Sequence, residues 1–169
     1  MILDIIKYGN PVLRKKAERI EVIDEKIKRL AHDMIETMRE EPGVGVAAPQ
    51  VGEPVCLIVF EVAAMNIGPF VYVNPEIIEK KGCVKSEEGC LSVPEICEKV
   101  PRARYVKVKA KTLEGEDVVV EYSDLPAIVI QHEIDHINGI LFIDYLNPIK
   151  RSFVLKKLKK LSSDDYKIK

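Results

Sequence analysis

The chain has 169 residues, of which 47% are hydrophobic and 31% charged, with a formal net charge of -1. This length suits one domain over 1–169 whose core folds without disulfide staples. The composition is that of a globular protein and excludes disordered and fibrous classes.

No apolar run approaches the ~20 residues of a membrane span, and the near-neutral charge offers no broad attraction to DNA. The opening "MILDIIKYGN" has Asp4 inside its apolar run and no small-residue cleavage site, so it does not read as a signal peptide and a cytoplasmic protein is expected. In a reducing compartment Cys56, Cys83, Cys90 and Cys97 are free thiols or metal ligands rather than disulfides. None forms a C-x-x-C pair, which argues against a structural four-cysteine zinc site.

In "DEKIKRLAHDMIETMRE", residues 24 to 40, Ile27, Leu30, Ala31, Met34, Ile35 and Met38 recur at helical spacing behind an Asp24 cap. His32 falls among polar positions and faces solvent.

Strands are predicted at 55–62, 70–73, 105–112 and 116–122. In the third, Val106, Val108 and Ala110 alternate with three lysines, so one face is buried and the other wet, as in antiparallel sheets. "TLEGED" joins the last two as a hairpin turn.

"SDLPAIVIQHEIDHING" reads as a helix capped by Ser123 or Asp124, with Pro126 in its first turn and a stop at Asn138-Gly139. Its apolar residues fall on every side, which marks a buried helix. A further helix is expected over 148–162, with a flexible tail over 163–169.

The fold expected is α+β: antiparallel sheets packed around the buried helix, with an N-terminal amphipathic helix and a C-terminal helix.

That buried helix carries an H-E-x-x-H pattern. His132 and His136, four apart, share a face, and Glu133 lies about 100° round, near enough to deprotonate a water on the same metal. Three titratable side chains in an apolar helix are costly without a purpose.

The third ligand must come from elsewhere, because the extended H-E-x-x-H-x-x-G-x-x-H pattern would need a ligand where Phe142 stands. Asp135 has little reach to the same ion and Asp144 lies beyond the helix-ending glycine. Cys90 is preferred, in "EEGCLSVP", where glycine and proline hold a short irregular strand: a thiolate with two histidines suits zinc or iron(II) and leaves a fourth position open for catalysis.

Upstream, "EPGVGVAAPQVG" matches G-x-G-x-x-A but lacks a preceding strand and a following helix, which excludes a dinucleotide loop. Its glycines instead allow backbone to approach a ligand closely.

Taken in order, "GVGVAAPQ", "EGCLS" and "QHEIDH" resemble the three signature motifs of the peptide deformylase family, and the resemblance spans nearly the whole chain. It implies a cytoplasmic enzyme that removes the formyl group from nascent N-formylmethionyl peptides. It further implies that Cys90, His132 and His136 bind one divalent ion, iron(II) in the cell with zinc, nickel or cobalt as alternatives. Glu133 would be the catalytic acid/base, Gln50 and the Leu91 amide would bind the oxyanion, and Gly45 would contact substrate through its backbone.

Val44, Ile128 and Val129 lie near these motifs and are expected to line an apolar slot for methionine. Gln131 is expected to anchor the glycine loop or a neighbouring strand. Asp135 would orient the site through Arg102 or Arg104. The family resemblance departs at Cys97, where some relatives carry an arginine that grips the peptide.

Residues 150–160 hold six basic residues and no acidic one. With Phe153, Val154, Leu158 and Leu161 as an apolar stripe, they suit either a solvated helix face or docking to ribosomal RNA.

Two other readings share these residues. A general metallopeptidase would take its third ligand from Glu or His, and a non-enzymatic metal protein would close the site with Cys83 or Cys97.

Overall fold

The computed structural model describes residues 1–168, with side chains to 162. It contains seven strands: β1 (Gly45–Ala47), β2 (Leu57–Val62), β3 (Ile67–Lys81), β4 (Val84–Cys90), β5 (Val93–Arg102), β6 (Tyr105–Lys111) and β7 (Asp117–Ser123). Three α-helices, α1 (Glu25–Glu40), α2 (Leu125–Ile137) and α3 (Pro148–Ile168), accompany them. The arrangement is the expected α+β one.

An antiparallel five-stranded sheet has the order β1-β2-β3-β6-β7, and β4 and β5 form a separate two-stranded ribbon. β2 explains why both faces of this sheet are covered. Successive side chains on a strand point to opposite faces. Leu57 and Val59 pack with Ala31, Met34 and Met38 of α1. Ile58, Phe60 and Val62 pack with Ala127, Ile130 and Ile134 of α2. A strand buried on both sides reads as a continuous apolar run, as "LIVF" does.

The α1 cap forms as expected, with Asp24 accepting from the Ile27 amide at 3.0 Å. His32 is exposed, 3.4 Å from Glu36. The strand predicted at 70–73 is a fragment of β3, whose register shifts near Asn74 and Glu76 and so escapes a period-two reading. β1 and β5 were not predicted. β1 has only three residues and includes Gly45. β5 carries two prolines, Pro94 and Pro101, which weaken a strand signal.

Helix α2 starts after Asp124, but this residue does not cap it with its side chain. Its carboxylate accepts instead from Arg104 Nε at 3.1 Å. The helix stops as predicted before Gly139, whose φ of +74° is a conformation glycine adopts without strain. A Cβ there would also lie 2.5 Å from the Arg14 carbonyl oxygen.

A third cluster joins Val93, Ile96 and Val100 of β5 to Leu141, Phe142 and Ile143, and to Val154 and Leu158 of α3. The expected α3 stripe needs one correction: Phe153 is 68% exposed. It lies about 100° round the helix from Val154 and so turns outward, leaving Leu155 as the partly buried neighbour. The helix expected over 148–162 is bounded at Pro148–Ile168, and the tail expected over 163–169 falls on positions whose side chains lie outside the described residues.

Candidate active site

The site forms where α2, β1 and the β4–β5 ribbon meet. The H-E-x-x-H residues occupy the centre of α2, with His132, Glu133 and His136 all buried. Cys90 ends β4, where the register shifts between Glu88 and Cys90. The extra residues of this shift lie on β5, between Val93 and Glu98, so β4 keeps its alternation and Glu88 and Cys90 share a face.

One ligand atom from each of Cys90, His132 and His136 lies within 4.8 Å of the others, the sole such group found among the described residues. Cys90 Sγ is 3.3 Å from His136 Nε2, and the two histidine Nε2 atoms face each other at 3.2 Å. A thiol and two imidazole nitrogens converging in this way suit a borderline-soft divalent ion.

The rival donors are engaged elsewhere. Asp144 forms hydrogen bonds with Arg14 at 2.7 and 3.1 Å. Asp135 accepts from Arg102 Nη1 at 2.6 Å, so Arg102 and not Arg104 is its partner. Cys97 donates to Glu87 at 3.3 Å, and Cys83 is exposed. Phe142 lies beside the His132 ring, 6.0 Å between centroids.

Glu133 is 4% exposed, and its Oε2 has no hydrogen-bond partner among the described residues. Burial pushes its pKa up to about 7. Burial disfavours a charged His132, yet hydrogen bonds to Cys90 and Glu88 outweigh it and raise the pKa well above the ordinary value. Burial holds His136 well below that value, and the neighbouring His132 adds to the effect.

Gly45 explains how β1 fits against this carboxyl. A Cβ there would lie 2.7 Å from Glu133 Oε1, so a glycine is needed for the close approach.

Gln50 lies next to the thiol. Its Oε1 accepts from the Ala47 amide at 2.9 Å, which turns Nε2 toward Ser92 Oγ at 3.2 Å and Cys90 Sγ at 3.5 Å. Leu91 follows Cys90 in the turn between β4 and β5, and its carbonyl accepts from Lys7 Nζ at 3.0 Å.

A cavity of about 450 Å³ opens onto these groups. Val44, Ile128 and Val129 all line it, together with Gly45, Gln50, Cys90, Leu91, His132 and Glu133. Gln131 stands apart: its Oε1 accepts from the Ala103 amide at 3.0 Å and its Nε2 donates to the Ala103 carbonyl at 2.8 Å. It thus anchors the segment between β5 and β6 rather than the glycine loop.

Two polar neighbours of the site were not anticipated from sequence. Ser92 is wholly buried beside Gln50. Glu88 lies 2.9 Å from His132 Nδ1 and holds both its oxygens against Arg102. The signal for Glu88 was its position two residues before Cys90, since residues at that spacing share a strand face. Burial works against its charge, but the Arg102 hydrogen bonds win and keep its pKa low.

The fold and site define a hydrolase-like centre of the two-histidine, one-thiolate class, able to hold one ion beside a buried carboxyl group. Residues 2–152 match the family model for polypeptide deformylase.

The chain is 48% identical to the peptide deformylase of Desulfotalea psychrophila, covering 94% of this chain and 96% of that one. It is 45% identical to the enzyme of Nitrosococcus oceani, over 94% and 95%. A crystal structure of a peptide deformylase from Legionella pneumophila superposes with a TM-score of 0.91 at 40% identity, covering 98% of each chain. The Ehrlichia chaffeensis enzyme in complex with actinonin gives 0.90 at 34% identity, over 94% and 96%. The chain therefore belongs to the polypeptide deformylase family, enzymes that remove the N-formyl group. Among the described residues no helix is long and apolar enough to cross a membrane.

Proposed function

We propose that the chain removes the formyl group from the N-terminal formyl-methionine of newly made proteins in the cytoplasm and releases formate. The observation that carries this reading is a buried carboxyl, Glu133, with a free oxygen beside converging Cys90, His132 and His136. A divalent ion held by those three residues, iron(II) in the cell with zinc, nickel or cobalt as substitutes, would acidify water and polarise the formyl oxygen.

Glu133 accepts the proton of the attacking water at Oε2 and returns it to the departing amine nitrogen. A carboxyl with a pKa near 7 suits both roles at neutral pH. The Gln50 amide and the Leu91 backbone N–H donate to the oxygen on which charge develops, each such donor contributing ~2.7–4 kcal/mol to the barrier. The methionine side chain lies against Val44, Ile128 and Val129, and Gly45 meets the peptide through its backbone.

The outward basic residues of 150–160 favour a second role for α3. With Lys156, Lys157, Lys159 and Lys160 all exposed, electrostatic docking to ribosomal RNA would bring the enzyme to emerging chains.

Formate release from formyl-Met-Ala-Ser by iron-loaded protein tests the main reading. Glu133→Ala, with its metal content matched to wild type, is expected to lose about 10²–10⁴-fold in kcat. A variant with wild-type turnover removes Glu133 from the mechanism, and an iron-loaded wild type that releases no formate overturns the activity.

A further inference from the structure

Among the described residues Arg102 hydrogen-bonds neither Cys90 nor Glu133, yet it is the only buried lysine or arginine. Its side chain is 3% exposed. From the end of β5 it grips two carboxylates at once. Nε and Nη2 donate to the two oxygens of Glu88 at 2.7 and 2.8 Å, and Nη1 donates to Asp135 at 2.6 Å.

The chain of contacts continues at both ends. On the outside, Tyr145 Oη donates to Asp135 at 2.8 Å, and the guanidinium lies 5.0 Å from the centre of the Tyr145 ring. On the inside, Glu88 Oε1 meets His132 Nδ1 at 2.9 Å.

Enclosing this many ionisable groups is costly unless each is paired in a fixed geometry. The chemistry of the pairing decides what is fixed. An ionised carboxylate only accepts, so a Glu88 held by Arg102 requires the proton of His132 to sit on Nδ1. In the neutral imidazole, the form that binds a metal, the lone pair is then left on Nε2, the atom 3.2 Å from His136 Nε2.

The geometry points to Arg102 as the positioning residue of the site: by gripping Glu88 it holds His132 in the Nδ1–H form, with the Nε2 lone pair turned toward Cys90 and His136. Asp135 and Tyr145 hold Arg102 in that pose. This inference rests on the reading of His132 as a ligand under the proposed function. A lysine at position 102 keeps the charge but lacks the planar fork that reaches both carboxylates.

The test compares wild type with Arg102→Lys, Tyr145→Phe and His132→Ala. Zinc affinity is measured by chelator competition, the tautomer of His132 by imidazole ¹⁵N spectra of metal-free protein, and folding by thermal melting. Arg102→Lys is expected to weaken zinc binding about 10–100-fold, as loss of a ligand's hydrogen-bond support does, and to give His132 as a mixture of tautomers. Tyr145→Phe, at the outer end, is expected to weaken zinc about threefold with little change in melting.

A folded Arg102→Lys protein with wild-type zinc affinity and a single Nδ1–H tautomer overturns the proposal. Should Arg102→Lys fail to fold, Tyr145→Phe decides: weakened zinc binding supports the positioning role, and unchanged binding overturns it. His132→Ala with wild-type zinc affinity would instead remove the ligand reading itself.

Discussion

Helices α2 and α3 follow one another in the chain and treat their polar residues in opposite ways. Of the 13 residues of α2, ten are buried, including Gln131, His132, Glu133 and His136. In α3 the buried residues are Val154 and Leu158 among the described positions, and the lysines stand in solvent. Enclosed polar groups must find partners or pay desolvation: Gln131, His132 and His136 reach β4 and the β5–β6 connection to do so, while Glu133 Oε2 stays unpaired among the described residues. The chemistry therefore concentrates where polar residues are enclosed. Charge on an open helix face adds little to stability.

This contrast is broken most directly at the buried end. Gln50→Ala removes a donor beside Cys90 and is expected to lower kcat about 10²–10³-fold with folding intact. Steady-state formate release against a melting curve checks it. An unchanged kcat would take Gln50 out of oxyanion binding.

Gly45→Ala comes next. Its Cβ would lie 2.7 Å from Glu133 Oε1, so the carboxyl must move. Displacing a catalytic group by ~1 Å costs about 10²-fold, and the overpacking destabilises by ~1–3 kcal/mol. Activity at the wild-type level would mean that the carboxyl has room to shift.

Cutting the chain after Asn147 should do much less to the chemistry. It removes Val154 and Leu158 from the third cluster. Burial of two such side chains, offset by the ordering of the helix, leaves a net loss of ~2 kcal/mol, or a melting point lower by about 4–8 °C. Turnover of formyl-Met-Ala-Ser at 25 °C is expected within about threefold of the full chain. A hundredfold loss would make α3 part of the site.

The smallest effect lies at Asp144, which joins the two regions. It accepts from Arg14 at 2.7 Å and lies 3.6 Å from Arg151 of α3. Burial opposes its charge, but the Arg14 hydrogen bonds outweigh that and depress its pKa. A depressed carboxyl stabilises above its unfolded pKa of ~3.9, and the gain is lost as pH falls through the lower folded value. Asp144→Asn should therefore melt a few degrees lower at pH 7 and converge with wild type toward pH 3. A gap that persists in acid would assign the effect to the Leu141 cap rather than to charge.

Much of the site was legible because its residues come in short, spaced groups. His132, Glu133 and His136 fall on a helix by spacing alone. Cys90 stood out because Phe142, Asp135 and Asp144 were each a worse donor. The Glu88–Arg102 grip was not legible, because its two residues sit on different strands and β4 was seen only as a short irregular piece. Arg102 is one of two arginines proposed for Asp135, and only the packing of the β4–β5 ribbon against α2 selects it.

By itself the sequence determined the local elements: the apolar face of α1, the β6–β7 hairpin and a buried helix carrying titratable residues. These follow from periodicity, capping and turn chemistry, which act over a few residues. The tertiary structure decided that Gly45 lies against Glu133, that Gln50 faces Cys90, that Arg102 reaches both Glu88 and Asp135, and that Phe153 turns outward. Each depends on how segments far apart in sequence pair and pack, and a pattern confined to one segment carries no record of its neighbours in space.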